Sequence, residues 1–277
     1  MTRVAILQAQ SGIDPGRNAS ALVDGVRAAR KGGAEMLFTP EMSGLLDRDR
    51  ARSAAHLRTE DADEVLAAVR DAAREHGLWV HLGSLALRTE GERLANRGFV
   101  IDSDGEVRAR YDKIHLFDVD LPSGESWRES AVYRPGERLV MVEGTPVGRL
   151  GLTICYDLRF PALFAALAEA GAETIAVPAA FTVPTGRAHW QVLLRARAIE
   201  AGLFVVAAAQ AGRHEDGRET YGHSLVAGPW GEVLLEMDGA PGLAFADVDL
   251  GQIAEVRGRV PALLHRQEMP SVEVISA

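Results

Sequence analysis

The chain has 277 residues, of which 47% are hydrophobic and 25% charged, and its net charge is −9. A chain of this length can bury one large core, and this composition is typical of a globular protein. The excess of acidic residues argues against nucleic acid or an anionic membrane surface as the main partner.

The number of cysteines and the pattern of the first residues indicate in which cellular compartment the protein is expected. Cys155 is the only cysteine, so no internal disulfide can form, which fits a reducing compartment. The first ten residues run straight into a strand pattern without the layout of a signal peptide, and no apolar run reaches the ~20 residues of a membrane span. We therefore expect a cytoplasmic protein.

The first third of the chain alternates between strand and helix patterns. Hydrophobic periodicity predicts strands over 3–10, 34–39 and 78–87, with helices over 18–31 and 61–76 between them. Asn18 or Ser20 is expected near the N-terminus of the first helix. This order predicts parallel strands joined by right-handed crossovers.

The middle third begins with a predicted hairpin, strands 96–101 and 106–111 around an Asp-Gly turn. Residues 118–137 are irregular, and a loop of this length inside a compact domain is usually functional. Strands over 139–142 and 149–154 follow.

The last part repeats the α/β alternation. The pattern predicts helices over 161–170 and 189–202, strands over 173–177, 203–210 and 243–248, a hairpin of 222–227 with 232–236, and a final short helix. No linker or composition shift interrupts the chain, so we expect one α/β domain over 1–277, with 260–277 as a C-terminal tail.

Cys155 lies where an apolar strand stops and a helix pattern follows. That position presents a sulfur at the C-terminal edge of a sheet, where α/β proteins form ligand sites. The positive end of the following helix would favour a thiolate. The alternative is a small buried hydrophobic residue, which free cysteines often are.

Lys113 and Glu41 also follow predicted strands. The 30 basic residues include only two lysines, Lys31 and Lys113, so a retained lysine points to a need for its amine. A solvated loop charge is the alternative for Lys113. A thiol nucleophile, a carboxylate base and an ammonium for an oxyanion form a coherent catalytic set, and the cation would lower the thiol pKa.

Three stretches carry a family resemblance: residues 38–42 (FTPEM), 111–118 (YDKIHLFD) and 151–161 (GLTICYDLRFP). In their order and spacing they resemble the nitrilase superfamily of carbon–nitrogen hydrolases. The resemblance implies a four-layer α-β-β-α sandwich. It also implies an enzyme without cofactor or metal, acting on a small-molecule amide and assembling as a homodimer or larger homo-oligomer.

The resemblance also assigns roles to residues. It implies Glu41 as general base, Lys113 as transition-state cation and Cys155 as nucleophile. By position, Glu129 matches the second glutamate that orients the lysine in this family. The oxyanion would lie between Lys113 and the backbone N–H of Tyr156.

The second half resembles the Nit branch of the superfamily, most of all its deaminated glutathione amidases. The similarity is carried by residues 180–190 (AFTVPTGRAHW), 206–214 (VAAAQAGRH) and 220–224 (TYGHS). Candidate substrate-binding residues are Tyr156, Phe181, Arg187 and His189. Arg187 departs from the branch and would add a cation that changes which carboxylate tail is preferred.

Function therefore has one leading hypothesis and several alternatives. The leading one is a thiol-dependent amidase that converts a small linear carboxamide, deaminated glutathione or an omega-amide of a dicarboxylic acid, to carboxylate and ammonia through a thioester. An N-carbamoyl amino acid amidohydrolase, an omega-amidase, a nitrile hydrolase and a thiol redox sensor are the alternatives. The eight histidines are scattered without metal-ligand spacing, so we expect no metal site.

Overall fold

The computed structural model describes residues 1–120, 124 and 126–276. Within these residues there are six α-helices: α1 (Pro15–Lys31), α2 (Arg50–Ala54), α3 (Glu64–His76), α4 (Pro161–Glu169), α5 (Val183–Ala201) and α6 (Gly251–Arg259). No helix in the described ranges is long and apolar enough to cross a bilayer.

Two six-stranded sheets form the centre of the described part of the chain. In spatial order the first holds β16 (Gly242–Val248), β1 (Thr2–Gln8), β2 (Met36–Phe38), β3 (Trp79–Leu87), β4 (Ala95–Ile101) and β5 (Val107–Asp112). The second holds β15 (Val233–Glu236), β14 (Leu225–Ala227), β11 (Phe204–Ala207), β10 (Thr174–Ala176), β9 (Gly148–Leu152) and β8 (Met141–Thr145). Two short hairpins, β6 (Asp118–Asp120) with β7 (Ser126–Arg128) and β12 (Ala211–Arg213) with β13 (Glu219–Tyr221), lie outside these sheets.

Alternating side chains of the first sheet show how the layers stack. Met36 and Phe38 of β2 belong to the core shared with the second sheet, whereas Leu37 belongs to the core beneath α1 and α3. Trp190 of α5 packs into the shared core from the far side of the second sheet. The predicted four-layer α-β-β-α sandwich is confirmed, with α1 and α3 outside one sheet and α4 and α5 outside the other.

The direction of the strands decides at which edge of each sheet the predicted site residues lie. In the first sheet β1, β2 and β3 are parallel, and β4 and β5 each pair antiparallel with the strand before. In the second sheet β9, β10 and β11 are parallel. Hence β2, β3 and β5 all end at one edge of the first sheet, and this edge carries Glu41 and Lys113.

Two predicted helix starts were wrong. α1 begins at Pro15 because the Asp14 side chain accepts hydrogen bonds from the N–H groups of Gly16 and Arg17, so neither Asn18 nor Ser20 caps it. α5 begins at Val183, six residues before the predicted start, because Pro184 is tolerated in a first helical turn.

The irregular stretch 118–137 has more structure than predicted. It contains β6, β7 and a 3-10 helix over Glu129–Ala131. Residues 121–123 and 125, which the same prediction covers, lie outside the described residues. Helix α2 and the hairpin of β12 and β13 were not predicted at all.

Candidate active site

Three predicted site residues meet between the two sheets. Glu41 follows β2, Lys113 follows β5, and Cys155 follows β9 of the facing sheet. All three are buried, with 4%, 2% and 8% of their surfaces exposed, and all line one cavity.

Lys113 is held by two carboxylates. Its Nζ lies 2.8 Å from Oε1 of Glu41, and 3.1 and 2.9 Å from Oε1 and Oε2 of Glu129. Burial alone would lower the pKa of Lys113, but the charges of Glu129 and Glu41 outweigh it and hold the pKa well above its ordinary value. Lys113 is therefore a permanent cation in the site, and the alternative of a solvated loop charge is excluded by its burial.

Glu41 and Glu129 differ in the number of hydrogen bonds that their carboxylates accept. Both oxygens of Glu129 accept two hydrogen bonds: Oε1 from Lys113 and Asn96, Oε2 from Lys113 and the backbone N–H of Phe117. Oε1 of Glu41 likewise accepts from Lys113 and Asn96, but its Oε2 accepts only from the N–H of Ala180 at 3.0 Å. Glu41 thus retains a free lone pair with which it can take a proton.

Cys155 occupies a strained turn. Its φ is 50°, in the left-handed region that a side chain rarely adopts, and its N–H donates to the carbonyl of Pro178 at 2.9 Å. A short 3-10 helix, Cys155–Arg159, begins at this residue, and α4 starts only at Pro161. The turn directs the sulfur into the cavity rather than into the core.

The sequence led us to expect a lowered pKa for the Cys155 thiol, and the structure gives a raised one. Burial raises the pKa of the Cys155 thiol, the negative charge of Glu41 raises it further, and the opposing effect of Lys113 is smaller. The thiol therefore keeps its proton at neutral pH, and the carboxylate beside it is placed to remove that proton when a substrate is present.

Asp157 connects the cysteine turn to the lysine segment. Its Oδ2 accepts from the N–H of Ile154 at 2.9 Å and from the Tyr111 hydroxyl at 2.7 Å. Its Oδ1 accepts from the N–H of His115 at 3.0 Å and lies 2.7 Å from Nδ1 of the same residue. Two loops from opposite sheets are thereby fixed relative to each other.

A cavity of about 520 Å³ opens from these groups to solvent. Its apolar walls combine aliphatic side chains with five aromatic ones, Phe117, Trp127, Tyr133, Tyr156 and Phe181. Two of its boundaries are the segment around α2 and the hairpin of β12 and β13, which the sequence did not predict. This volume suits a small organic molecule.

The four predicted substrate-binding residues divide into two pairs. Tyr156 and Phe181 line the cavity. Arg187 and His189 are exposed on α5, and neither is part of the cavity wall. His189 touches the site indirectly, since its Nδ1 lies 3.3 Å from Nη1 of Arg159.

Of the six cavity-lining cations, Lys113, Arg128 and Arg218 form ion pairs, whereas Arg48, Arg50 and Arg159 form none among the described residues. Arg128 binds Asp120, and Arg218 binds Asp216. Arg159 instead lies over the rings of Tyr156 and Phe181, at 5.9 and 5.4 Å from their centroids, and has no carboxylate partner among the described residues.

The sequence analysis missed Asn96, Asp157 and Arg159. Asn96 lies at the start of β4, an antiparallel strand, whereas the search covered residues that follow strands. Asp157 and Arg159 lie within residues 151–161, the stretch that identified Cys155. An acidic residue and a cation so close in sequence to a candidate nucleophile could have identified both.

Metal ligands were also considered. Across residues 1–120, 124 and 126–276 no group of three His, Cys, Asp or Glu side chains has the arrangement of a metal site. The site's own residues already supply a nucleophile, a base and a cation.

Known proteins that are similar to this chain include hydrolases of carbon–nitrogen bonds. The sequence profile of the family "Carbon-nitrogen hydrolase" matches residues 3–258. The deaminated glutathione amidase of Yersinia enterocolitica is 40% identical over 272 residues, covering 97% of this chain and 94% of that protein.

Two solved structures are also similar. The NitFhit protein of Caenorhabditis elegans has a TM-score of 0.89 at 37% identity, over 96% of this chain and 65% of its own length. A mutant of the amidase from Nesterenkonia sp. AN1, with acrylamide added to its active-site cysteine, has a TM-score of 0.78 at 29% identity, over 94% and 98% of the two chains.

Proposed function

The chain belongs to the carbon–nitrogen hydrolase family and is a hydrolase of amide C–N bonds, and from this premise we propose that it is a thiol-dependent amidase of the deaminated glutathione type. The observation that carries the proposal is the meeting of Glu41, Lys113 and Cys155 in one buried pocket. The substrate class follows from the Yersinia relative's name and from an unpaired arginine in the cavity.

The reaction begins with proton transfer from Cys155 to Glu41. The sulfur attacks the amide carbon, and the resulting oxyanion is bound by Lys113 and the backbone N–H of Tyr156. That N–H has no acceptor among the described residues, so it is available as a donor. Lys113 uses one N–H for Glu41, and its two contacts with Glu129 can share a second, which leaves the third N–H for the oxyanion.

The second half of the reaction reuses the same base. Glu41 returns the proton to the leaving nitrogen, the C–N bond breaks, and an acyl thioester remains on Cys155. Glu41 then takes a proton from water, which attacks the thioester and releases the acid. Glu129 acts as the positioning group that holds Lys113 throughout.

Arg159 supplies the cation that this substrate class needs. It lies four residues beyond Cys155, half-buried, on two aromatic rings that line the cavity. A guanidinium in this position can bind a carboxylate through two hydrogen bonds. We place the carboxylate of the acyl group here, with Tyr156 and Phe181 forming the wall beside it.

Deaminated glutathione requires one change to the expected products. Its amide is secondary, so the leaving amine is a dipeptide, and only a primary omega-amide would release ammonia. The assay should therefore measure the 2-oxo acid that both substrates share.

Trapping the intermediate tests the proposal. Cys155→Ala and Lys113→Arg should each lose at least ~10³-fold in 2-oxo acid formation while they remain folded. Intact mass spectrometry of the wild type, quenched with acid during turnover, should show one added acyl group, and Cys155→Ala treated in the same way should show none. Near wild-type turnover in either single variant would exclude this mechanism.

We further propose a homodimer formed through α5. The exposed fractions of Val192, Ile199 and Trp230 are 66%, 52% and 59%, which is high for large apolar side chains near one another on α5 and the β14–β15 hairpin. Light scattering should give a dimer for the wild type and a monomer for Ile199→Asp. A monomeric wild type at micromolar concentration would contradict the proposal.

Two smaller assignments complete the proposal. We assign residues 1–277 to one hydrolase domain with 260–277 as its tail, because the described part of that tail contains no helix or strand. We place the enzyme in the cytoplasm because a chain with one cysteine and hence no internal disulfide fits a reducing compartment, and cell fractionation would test this.

A further inference from the structure

Asn96 lies between the two catalytic carboxylates. It is the second residue of β4 and only 1% exposed. Its Nδ2 donates to Oε1 of Glu41 at 2.9 Å and to Oε1 of Glu129 at 3.1 Å. Its backbone carbonyl accepts from the N–H of Lys113 at 2.9 Å. The side chain of Asn96 therefore contacts both anions, and its backbone carbonyl holds the backbone of the cation.

The other half of this amide has no partner. Oδ1 of Asn96 is buried and accepts no hydrogen bond from the described residues. A buried acceptor without a donor destabilises a fold. An apolar residue of the same size would avoid this cost, so stability alone does not account for an amide here. The part of this amide that contacts the site is its NH₂ group, which donates to Glu41 and Glu129.

Charge balance explains why a neutral donor is needed. Glu41 and Glu129 bring two negative charges, and Lys113 brings one positive charge. With the thiol protonated, one negative charge remains in excess. A second cation would neutralise it but would also make Glu41 a weaker base, whereas amide N–H groups contact both carboxylates without adding a charge.

The donors also select which oxygen acts as the base. Asn96 and Lys113 both occupy Oε1 of Glu41, and Oε2 receives only the N–H of Ala180. The free lone pair is therefore on Oε2. Without the Nδ2 donor the carboxylate could rotate and expose either oxygen.

We propose that Asn96 is a positioning residue of the amidase reaction. It holds Oε1 of Glu41 so that Oε2 receives the thiol proton, and its hydrogen bonds join Glu41 and Glu129 beside one lysine. The inference rests on the proposed function, since it assigns Glu41 as the base.

The kinetic test replaces the amide with an apolar group of the same size. Asn96→Leu should reduce kcat by roughly ten- to a hundredfold, as expected when a charged acceptor loses a donor. The acid limb of the kcat/KM profile should move up by about one pH unit, because the ionised carboxylates lose stabilisation. The groups that face Glu41 are Lys113, Glu129, Cys155 and the Tyr133 phenol, and all remain in the variant.

A matched control separates this from a structural effect. Asn18 is also buried, at 7% exposed, but its amide binds the backbone of Gly12 and Gly44, away from the site. Asn18→Leu should lower the melting temperature and leave the pH profile unchanged. Asn96→Leu should also lower the melting temperature, because two buried carboxylates lose a donor, but of the two variants it alone should move the pH profile. If Asn96→Leu does not fold, Asn96→Ser, whose hydroxyl reaches less far, should show a smaller shift in the same direction.

An infrared titration tests the inference without any substrate. The carboxylic acid C=O band of the pair, assigned by its loss in Glu41→Gln, should appear about one pH unit higher in Asn96→Leu than in the wild type. An unmoved band, or an unmoved acid limb in an active variant, would overturn the role of Asn96. An inactive wild type with a shifted band would instead refute the proposed function and leave only the contact of Asn96 with the two carboxylates.

Discussion

The two ends of the cavity hold their charges in opposite ways. At the inner end, formed by Glu41, Lys113, Glu129 and Cys155, the ammonium and the carboxylates are almost fully buried and hydrogen-bonded to one another. At the mouth, the cavity-lining charges Arg48, Arg50, Arg128 and Glu219 are exposed.

This difference in burial decides how much it costs to replace a charged residue at each end of the cavity. A buried ion pair that loses one partner leaves an uncompensated charge, at a cost of about 3–5 kcal/mol, whereas an exposed pair contributes about 0–1 kcal/mol. The inner end therefore fixes the chemistry. The mouth, where charges are replaced at little cost, can adjust which amide enters.

Lys113→Met should produce the largest effect. It removes the one cation of the inner end, so 2-oxo acid formation should fall by at least ~10³-fold, and stability should fall by about 3–5 kcal/mol near neutral pH. The unpaired carboxylates take up protons as the pH falls, so the stability deficit should shrink towards pH 5. Denaturant unfolding at both pH values measures this, with Lys31→Met, on the exposed end of α1, as the control. Equal losses in the two variants would show that the inner end is not special.

Glu129→Gln tests the fixed carboxylate. A glutamine has one acceptor oxygen, so its NH₂ group would face either Lys113 or the N–H of Phe117, both of which are donors. We expect kcat to fall by about 10²–10³-fold with KM nearly unchanged, because the cation is displaced from the oxyanion. Glu143→Gln, at an exposed position on β8, is the matched variant and should keep wild-type rates. A change confined to KM would mean that Glu129 binds substrate instead.

How far the sequence predicts this site depends on strand direction. Glu41, Lys113 and Cys155 could be predicted because each follows a strand and parallel strands end at a common edge. Asn96 could not, because it starts an antiparallel strand, and only the pairing of β4 with β5 brings it to that edge. The expected lowering of the thiol pKa failed because the sequence does not show how far burial and the charge of Glu41 outweigh that of Lys113.

The exposed part of the fold was harder to predict than its core. Strands that alternate between two cores have strong periodicity, as β2 does, and their bounds were close. The hairpin of β12 and β13 pairs only three residues on each side and has no such pattern. These weakly patterned segments form the mouth of the cavity.

Arg159→Gln should separate binding from chemistry. The guanidinium near the inner end contacts the acyl carboxylate in our proposal, so KM for an anionic amide should rise by roughly ten- to a hundredfold. kcat should change by less than about threefold, since Arg159 does not touch the reacting atoms. A neutral aliphatic amide provides the internal control, and an equal loss of kcat/KM for both substrates would contradict a carboxylate role.

The pH dependence of stability reports on the buried thiol. The pKa of Cys155 is raised in the folded state by burial and by Glu41, so the thiol's contribution is present below its ordinary pKa and is lost as the pH rises above it. From about pH 9 upward the wild type should lose up to ~1.4 kcal/mol per pH unit relative to Cys155→Ala. Urea unfolding of both proteins between pH 8 and pH 10.5 gives the difference. Parallel stability curves would show that the cysteine titrates alike in the folded and unfolded states.

Arg187→Ala should have the smallest effect and thereby locate the boundary of the mouth. Arg187 is exposed on α5, outside the cavity wall, so it can act on an anionic substrate only through solvent. We expect KM for the anionic amide to rise about twofold at low salt, and the difference to disappear near 0.5 M salt, where charges are screened within a few ångströms. A neutral amide should show no change at either salt concentration. A salt-independent rise of tenfold or more would mean that Arg187 contacts the substrate directly, and the mouth would then extend onto the surface of α5.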